Sequence, residues 1–257
     1  GGGGADTFEG GGGNDTINGE DGNDTLLGGA GDDTFVWNPG DGSDTVEGQD
    51  GNDTMQFNGA NIAENINITA NGARTRFTRD VANIVMDVNG VENINFTARG
   101  GADTITVGDL KGTSVTQVNL DLSGTPGSRT GDGAVDHVTA TGTGGNDQIQ
   151  VVGAGSSVSV LGLAAQVNIT GAEGANDVLT ISAGNDGATF LNDQMYQDGA
   201  IGLVFYGNNS TITGGLYQML ANRSQWELLQ NDRALVPSAV EEALRWVSPI
   251  KNMARTA

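Results

Sequence analysis

The chain opens on a unit of nine residues that repeats six times: GGGGADTFE, GGGGNDTIN, GEDGNDTLL, GGAGDDTFV and, after the two-residue insertion Trp37-Asn38, PGDGSDTVE and GQDGNDTMQ. Every unit has glycine at its fourth place, aspartate at its sixth, threonine at its seventh and an apolar residue at its eighth. The aspartates are Asp6, Asp15, Asp24, Asp33, Asp44 and Asp53, and the apolar residues are Phe8, Ile17, Leu26, Phe35, Val46 and Met55. A short fixed period predicts a solenoid, because each unit can bury its apolar face only against its neighbours.

Within a unit, three residues such as TIN suffice for a short strand, whose alternation turns the central apolar side chain inward. The six residues before it must bend sharply, and glycine supplies the positive φ that such a bend needs. Two units then make one coil of eighteen residues, with strands stacking on two sides. The fold class expected is mainly β, a right-handed parallel β-roll or β-solenoid, with a short α-helical appendage at the C-terminus.

Stacking sets the carboxylates against one another. Neighbouring strands lie about 4.8 Å apart, and at an effective dielectric near 20 two unit charges at that spacing repel by roughly 3–4 kcal/mol. Residues 1–57 contain no lysine or arginine to offset this. A divalent cation between coils reverses the sign of that repulsion. Carboxylate and carbonyl oxygens are hard ligands that suit Ca²⁺, whereas Mg²⁺ demands tighter octahedral geometry and sheds water reluctantly. The glycines thus bend the turns and bare the carbonyls, and the cation offsets both their entropy cost and the repulsion. Without Ca²⁺, repulsion predicts a disordered array.

These residues resemble the RTX (repeats-in-toxin) family of calcium-binding nonapeptides, with motif GGxGxDxUx, over residues 1–57. The resemblance implies a right-handed parallel β-roll with Ca²⁺ between successive turns. Carried over residue by residue, it implies ligand roles for Asp6, Asp15, Asp24, Asp33, Asp44 and Asp53 and for the turn glycines Gly2, Gly4, Gly11, Gly13, Gly22, Gly29, Gly31, Gly42 and Gly51. Glu20 and Gln49 replace the second glycine of their units, and Pro39 replaces the first of its unit. The Trp37-Asn38 insertion predicts a broken or bulged turn. Stacked alternately, the six units offer at most four sandwiched sites: Asp6 with Asp24, Asp15 with Asp33, Asp24 with Asp44, and Asp33 with Asp53.

Three regions follow from composition: an array at 1–57, a β-rich continuation at 58–212, and a helical piece at 213–257. In the second, β-branched segments such as VTQVNLDLS alternate with echoes of the motif around Asp103, Asp147, Asp177 and Asp186. Asn71-Gly72 and Asn89-Gly90 read as tight turns. The echoes are irregularly spaced, so they are expected not to stack as a ladder and to be mostly ordinary turn residues, with Asp103 and Asp147 the candidates for extra sites. His137, next to Asp136 in GAVDHVTA, is expected to be a surface or packing residue rather than an acid–base catalyst.

From about Thr213 the pattern becomes helical, with Leu216, Leu220, Trp226, Leu228 and Leu229 on one face and Pro237 starting a second helix. This stretch resembles part of the cytochrome P-450 monooxygenases, including the helix that carries their E-x-x-R pair, here Glu242 and Arg245. That class holds its haem iron by a cysteine thiolate. This chain has no cysteine, so it is expected not to be an enzyme. Cysteine's absence also excludes disulfides and thiolate metal sites.

The net charge of −21 argues for cations as partners and against nucleic acid or anionic membranes. No stretch is apolar enough to span a bilayer, and the sequence, which lacks an initiating methionine or a leader, reads as a piece of something longer. The resemblance to RTX proteins implies a calcium-binding, calcium-folded module of a secreted bacterial protein, exported by a type I system. The P-450-like tail would imply the cytoplasm. Two alternatives stand beside this: a haem monooxygenase fragment fused to an RTX array, and a calcium-stiffened adhesive or structural surface whose protein partner is unspecified.

Overall fold

The computed structural model describes residues 2–182, 188–191, 201–206 and 211–213. The helical piece expected beyond Thr213, with Glu242 and Arg245, and the echo at Asp186 lie outside the described residues. Strands are numbered along the chain. The first sheet runs β1 (Thr7–Gly12), β3 (Thr25–Ala30), β5 (Thr45–Asp50), β9 (Ile84–Asn89), β8 (Arg74–Arg79), β7 (Asn65–Asn71), β11 (Thr104–Val107), β13 (His137–Thr141), β17 (Val178–Ser182) and β19 (Gly202–Tyr206). The second runs β2 (Thr16–Ile17), β4 (Thr34–Trp37), β6 (Thr54–Asn58), β10 (Asn93–Thr97), β12 (Gln117–Asp121), β16 (Gln166–Thr170), β15 (Ser157–Leu161), β14 (Asp147–Ala154), β18 (Ala188–Leu191) and β20 (Thr211–Thr213).

Through β6 the chain alternates strictly between sheets, and each strand pairs in parallel with the strand one coil away. Thr7 stands against Thr25 and Thr16 against Thr34, eighteen residues on. After the insertion the step lengthens, with Thr25 against Thr45 and Thr34 against Thr54. The eighth-place residues line the space between the sheets, where Leu26, Phe35, Val46 and Met55 are buried. The parallel β-roll expected from the nine-residue period is the fold observed.

Beyond β6 the solenoid continues with two doublings back. β7, β8 and β9 pair antiparallel in the first sheet, with Asn71 and Arg74 closing the β7–β8 hairpin around Gly72. β14, β15 and β16 do the same in the second. The expected turn at Asn71-Gly72 is therefore a hairpin, whereas Asn89-Gly90 turns the chain from one sheet to the other. At the first doubling, an aromatic cluster widens the core. Trp37 stacks on Phe57 with centroids 3.9 Å apart and planes 4° from parallel, and Phe77 and Phe96 pack against Phe57.

The middle strands keep the register of the array, with the same inward place aligned from strand to strand. Met55, Ile94, Val118 and Val167 follow one another in adjacent strands of the second sheet. Ile66, Ile105, Val138 and Leu179 do so in the first. The repeat persists in space after its glycines have faded from the sequence.

Candidate metal centre

Each sixth-place aspartate sits at the end of a glycine turn, one residue before its strand. In Asp6, Asp15, Asp24, Asp33 and Asp53 the backbone N–H there points along the stacking direction to a carboxylate of the next coil. Asp6 donates to Oδ1 of Asp24 at 2.8 Å and Asp24 to Oδ1 of Asp44 at 2.9 Å, which forms one column. Asp15 donates to Oδ1 of Asp33 and Asp33 to Oδ1 of Asp53, both at 2.8 Å, which forms the other. All four pairs expected from the sequence are brought together. Burial deepens along the columns: Asp6 is exposed and Asp15 half-buried, while Asp24, Asp33, Asp44 and Asp53 are buried.

The second carboxylate oxygen is the decisive feature. Oδ2 of Asp15, Asp24, Asp33 and Asp53 is buried and accepts no hydrogen bond. Leaving a buried charged acceptor without a partner costs more than the roughly 1–3 kcal/mol of a neutral one. Those oxygens lie over the first glycine of their own unit, so that a Cβ at Gly19, Gly28 or Gly48 would strike Oδ2 of Asp24, Asp33 or Asp53.

The turn glycines complete the cradle. The carbonyl oxygens of Gly4, Gly11, Gly13, Gly22 and Gly31 face the Cα atoms of Gly22, Gly29, Gly31, Gly42 and Gly51 in the next coil, leaving no room there for a Cβ. The second place is left-handed in all six units, at Gly2, Gly11, Gly29 and Gly40 and also at Glu20 (φ 65°) and Gln49 (φ 75°). The turn thus imposes its shape even where glycine is lost. Gly42 alone among the named glycines has no positive φ; its place is dictated by the Gly22 carbonyl.

The insertion bulges its turn without breaking the column. Asn38 and Asp41 close it, with Asp41 N–H donating to the Asn38 carbonyl and Asn38 N–H to Asp41 Oδ2. Trp37 directs its indole N–H to the Gly42 carbonyl at 2.8 Å. The Gly42 carbonyl thus accepts the indole N–H through one of its two lone pairs.

Electrostatics favour a cation. Burial pushes the Asp44 carboxyl up to about 6 against the hydrogen bond from Asp24, and the charges of Asp24 and Asp41 add to the rise. Burial also raises Asp53, with Asp33 and Asp32 contributing. Among the described residues no three carboxylate or imidazole groups converge on one point. A cation here would draw on carbonyls as well as on Oδ2, which is the mixed oxygen set that Ca²⁺ accepts. Orphaned anionic oxygens beside bared carbonyls fit that ion.

The expectation for the middle region was wrong in one respect: its acids do stack. Glu64 donates its N–H to Oδ1 of Asp103, Asp103 to Oδ1 of Asp136, and Asp136 to Oδ1 of Asp177, at 2.8, 2.8 and 3.0 Å. The doublings back and long loops absorb the uneven spacing, so separations of 39, 33 and 41 residues still bring equivalent positions together. In the other column Glu92 takes the Asp53 N–H through Oε2 at 2.8 Å. Glu64 and Glu92 were missed because glutamate replaces the aspartate. The signal was the phase, an acid two places before Ile66 and Ile94.

Asp103 and Asp147 part company. Oδ2 of Asp103 is buried and unpartnered, and burial, with the charges of Asp136, Glu64 and Asp132, lifts this carboxyl to about 8. Asp136 rises to about 7, again chiefly through burial. Asp147 instead accepts both the N–H and the hydroxyl of Thr143, each at 2.8 Å, and its turn is closed locally. His137 is exposed, while the neighbouring Asp136 is buried and engaged by Asp103.

Stacked glycine turns with a carboxylate column at each edge define a calcium-binding β-roll. Residues 1–35 and 40–61 match the family model of the RTX calcium-binding nonapeptide repeat, in 4 copies, and this N-terminal array is an RTX repeat array that binds Ca²⁺. A different part of the likeness is to haem enzymes. The chain is 40% identical over 79 residues to a steroid C26-monooxygenase of Mycobacterium tuberculosis, covering 29% of this chain and 21% of that protein. It is 54% identical over 46 residues to a steroid C26-monooxygenase of Mycolicibacterium smegmatis, covering 18% and 12%. It is 30% identical over 87 residues to cytochrome P-450-terp of a Pseudomonas species, covering 32% and 20%. The chain spans about a fifth or less of the length of these relatives. Among the described residues, no helix is long and apolar enough to cross a membrane.

Proposed function

We propose that the chain is a non-catalytic calcium-binding module whose roll closes on the cation, in a protein that meets calcium outside the cell. The observation that carries this reading is the orphaned Oδ2 row of Asp15, Asp24, Asp33 and Asp53. Asp24, Asp33 and Asp53 are held in position by the N–H groups of Asp6, Asp15 and Asp33 in the preceding coil, and among the described residues no ion pair reaches any of the four. Ca²⁺ bound only by the stacked form stabilises it by RT ln(1 + [L]/Kd), so low calcium leaves the array open and millimolar calcium closes it. RTX repeats typify secreted proteins, which supports an extracellular site of action. Far-ultraviolet circular dichroism of the full chain in EGTA, then with Ca²⁺ or Mg²⁺, tests this. A gain of β signal specific to Ca²⁺ is expected, and an unchanged spectrum rejects it.

The partial likeness to steroid C26-monooxygenases supports a second reading, in which the parent gene joins an RTX array to part of a haem monooxygenase. With no cysteine in 257 residues, this chain has no thiolate to give a haem iron. Reconstitution with haem is expected to give no thiolate-ligated Soret band.

A further inference from the structure

The strand that doubles back through the first sheet carries three arginines, of which two are paired. On β8, Arg74 meets Asp87 through Nε and Glu47 through Nη1, and Arg79 meets Glu64. Arg76 is exposed and, among the described residues, its guanidinium forms no hydrogen bond or ion pair. Asp87 stands opposite it in the β8–β9 pairing but is taken by Arg74. Arg76 instead lines a concavity of about 260 Å³ on the outer face of the sheet, together with Asn67, Thr78, Asp80 and Asn83. We propose that this concavity binds a small zwitterion of dipeptide length, with its carboxylate on Arg76 and its ammonium on Asp80.

Spacing sets the length of the ligand. Arg76, Thr78 and Asp80 alternate outward along the strand, so the two charged residues are four positions and about 13 Å of backbone apart. Side chains reaching in from both ends shorten that gap. A free α-amino acid, whose charges flank one carbon, is too short to bridge what is left. Midway between them, Thr78 stands opposite Asn67 on one side and Val85 on the other. A hydroxyl and an amide, each able to donate and accept, suit the N–H and C=O of one peptide group. Asp80 keeps room for an ammonium. Its Oδ1 takes the Asn65 and Val81 N–H groups and its Oδ2 the Asn65 Nδ2, three of the roughly four lone-pair positions of a carboxylate. Against the rise that burial causes, the hydrogen bonds from Asn65 and Val81 hold this carboxyl below its ordinary value.

Charge and backbone strain support the same class of ligand. A net charge of −21 repels a simple anion. A zwitterion brings no net charge, and Arg76 and Asp80 answer its two ends separately. The concavity is smaller than the roughly 300–1,000 Å³ of drug-sized sites, which suits two residues and not a longer peptide. Asn83 (φ 54°) lines it from a turn in which Ala82 (φ 64°) is also left-handed, and neither is glycine. Such conformations are costly outside glycine and cluster at ligand clamps.

Saturation-transfer NMR titration of the full chain with alanyl-alanine, in saturating calcium, tests the site independently of how the array holds its cation. Binding at millimolar concentration is expected. Alanine, N-acetyl-alanyl-alanine and alanyl-alanine amide, which lack the length or one of the charges, are expected to bind at least tenfold more weakly. Arg76→Gln and Asp80→Asn are each expected to weaken alanyl-alanine at least tenfold. Asparagine keeps the Oδ1 that the turn uses, and Arg76→Gln removes a guanidinium that holds nothing else, so circular dichroism of that variant should be unchanged. No binding of alanyl-alanine, equal binding of the acetylated or amidated forms, or an affinity unmoved by Arg76→Gln overturns the proposal. Each of those results leaves the calcium reading of the array intact.

Discussion

Asp33 donates its backbone N–H to Oδ1 of Asp53 at 2.8 Å, while Oδ2 of the same carboxylate is buried and bonded to nothing. One oxygen holds the coils in register and the other waits on a cation, so the two roles can be separated. Asp53→Asn preserves the acceptor and removes the charge. We expect it to leave apo stability unchanged or higher and to weaken calcium binding roughly tenfold, about 1.4 kcal/mol. Calcium titration followed by circular dichroism checks both halves.

The ion pair between Arg79 and Glu64 is buried, with side chains 4% and 0% exposed, and Arg79 also lies over the Trp37 ring at 5.3 Å. Arg79→Met leaves Glu64 charged and unpaired, a loss of about 3–5 kcal/mol. Arg79→Met/Glu64→Gln is expected to recover most of it, since Glu64 then needs no counter-charge. Urea unfolding at saturating calcium measures the difference.

Gly42 and Gly12 predict opposite responses to one methyl group. A Cβ at Gly42 would fall on the Gly22 carbonyl, backbone against backbone, whereas nothing lies within 4 Å of one at Gly12. Gly42→Ala is expected to cost more than about 4 kcal/mol. Gly12→Ala is expected to change stability by less than about 1 kcal/mol in either direction. Thermal melts in calcium separate them.

The pH dependence should be inverted relative to an ordinary acidic protein. Asp44, Asp136 and Asp103 are raised from the usual 3.8 to about 6, 7 and 8, so the folded chain binds protons more tightly than the unfolded one. Their stabilisation is full below the unfolded value and is lost as pH rises through the folded values. In EGTA, Tm is expected to fall between about pH 4 and 8. Saturating calcium competes with these protons and should flatten or reverse the trend. An apo Tm that rises across this window would contradict the assignment.

The array was legible because one phase carries everything: Asp24, Asp33, Asp44 and Asp53 follow their glycines and precede a buried residue each time. The middle column was not, for a physical reason. Register depends on where strands stack, and chain separation ceases to report it once β8 and β15 double back. Glu64 and Glu92 fill the acid's place with a longer side chain that no aspartate motif finds. Motif quality even misled: GTGGND around Asp147 looks closer to the repeat than ARGGAD around Asp103. Yet Thr143, in the second place, supplies the hydroxyl that closes the better match on itself.

The order of the strands also dictates how such a roll can be assembled. β3 to β6 each rest on a strand already laid, so this part can grow rung by rung. β6 then leads to β7, whose partners are β8 and β11, neither of which has yet been made, and β8 and β9 afterwards fill the gap back to β5. β14 repeats the manoeuvre in the second sheet: its partners are β15 and β18, and β15 and β16 afterwards fill the gap back to β12. Such long-range closures carry their loop entropy before any contact repays it. The blocks β7–β9 and β14–β16 are therefore each expected to form as a unit, whereas β10 to β13 between them again rest on strands already laid. They are two clasps in a ladder, at each of which a folding front advancing from the N-terminal end is expected to pause until three strands close together.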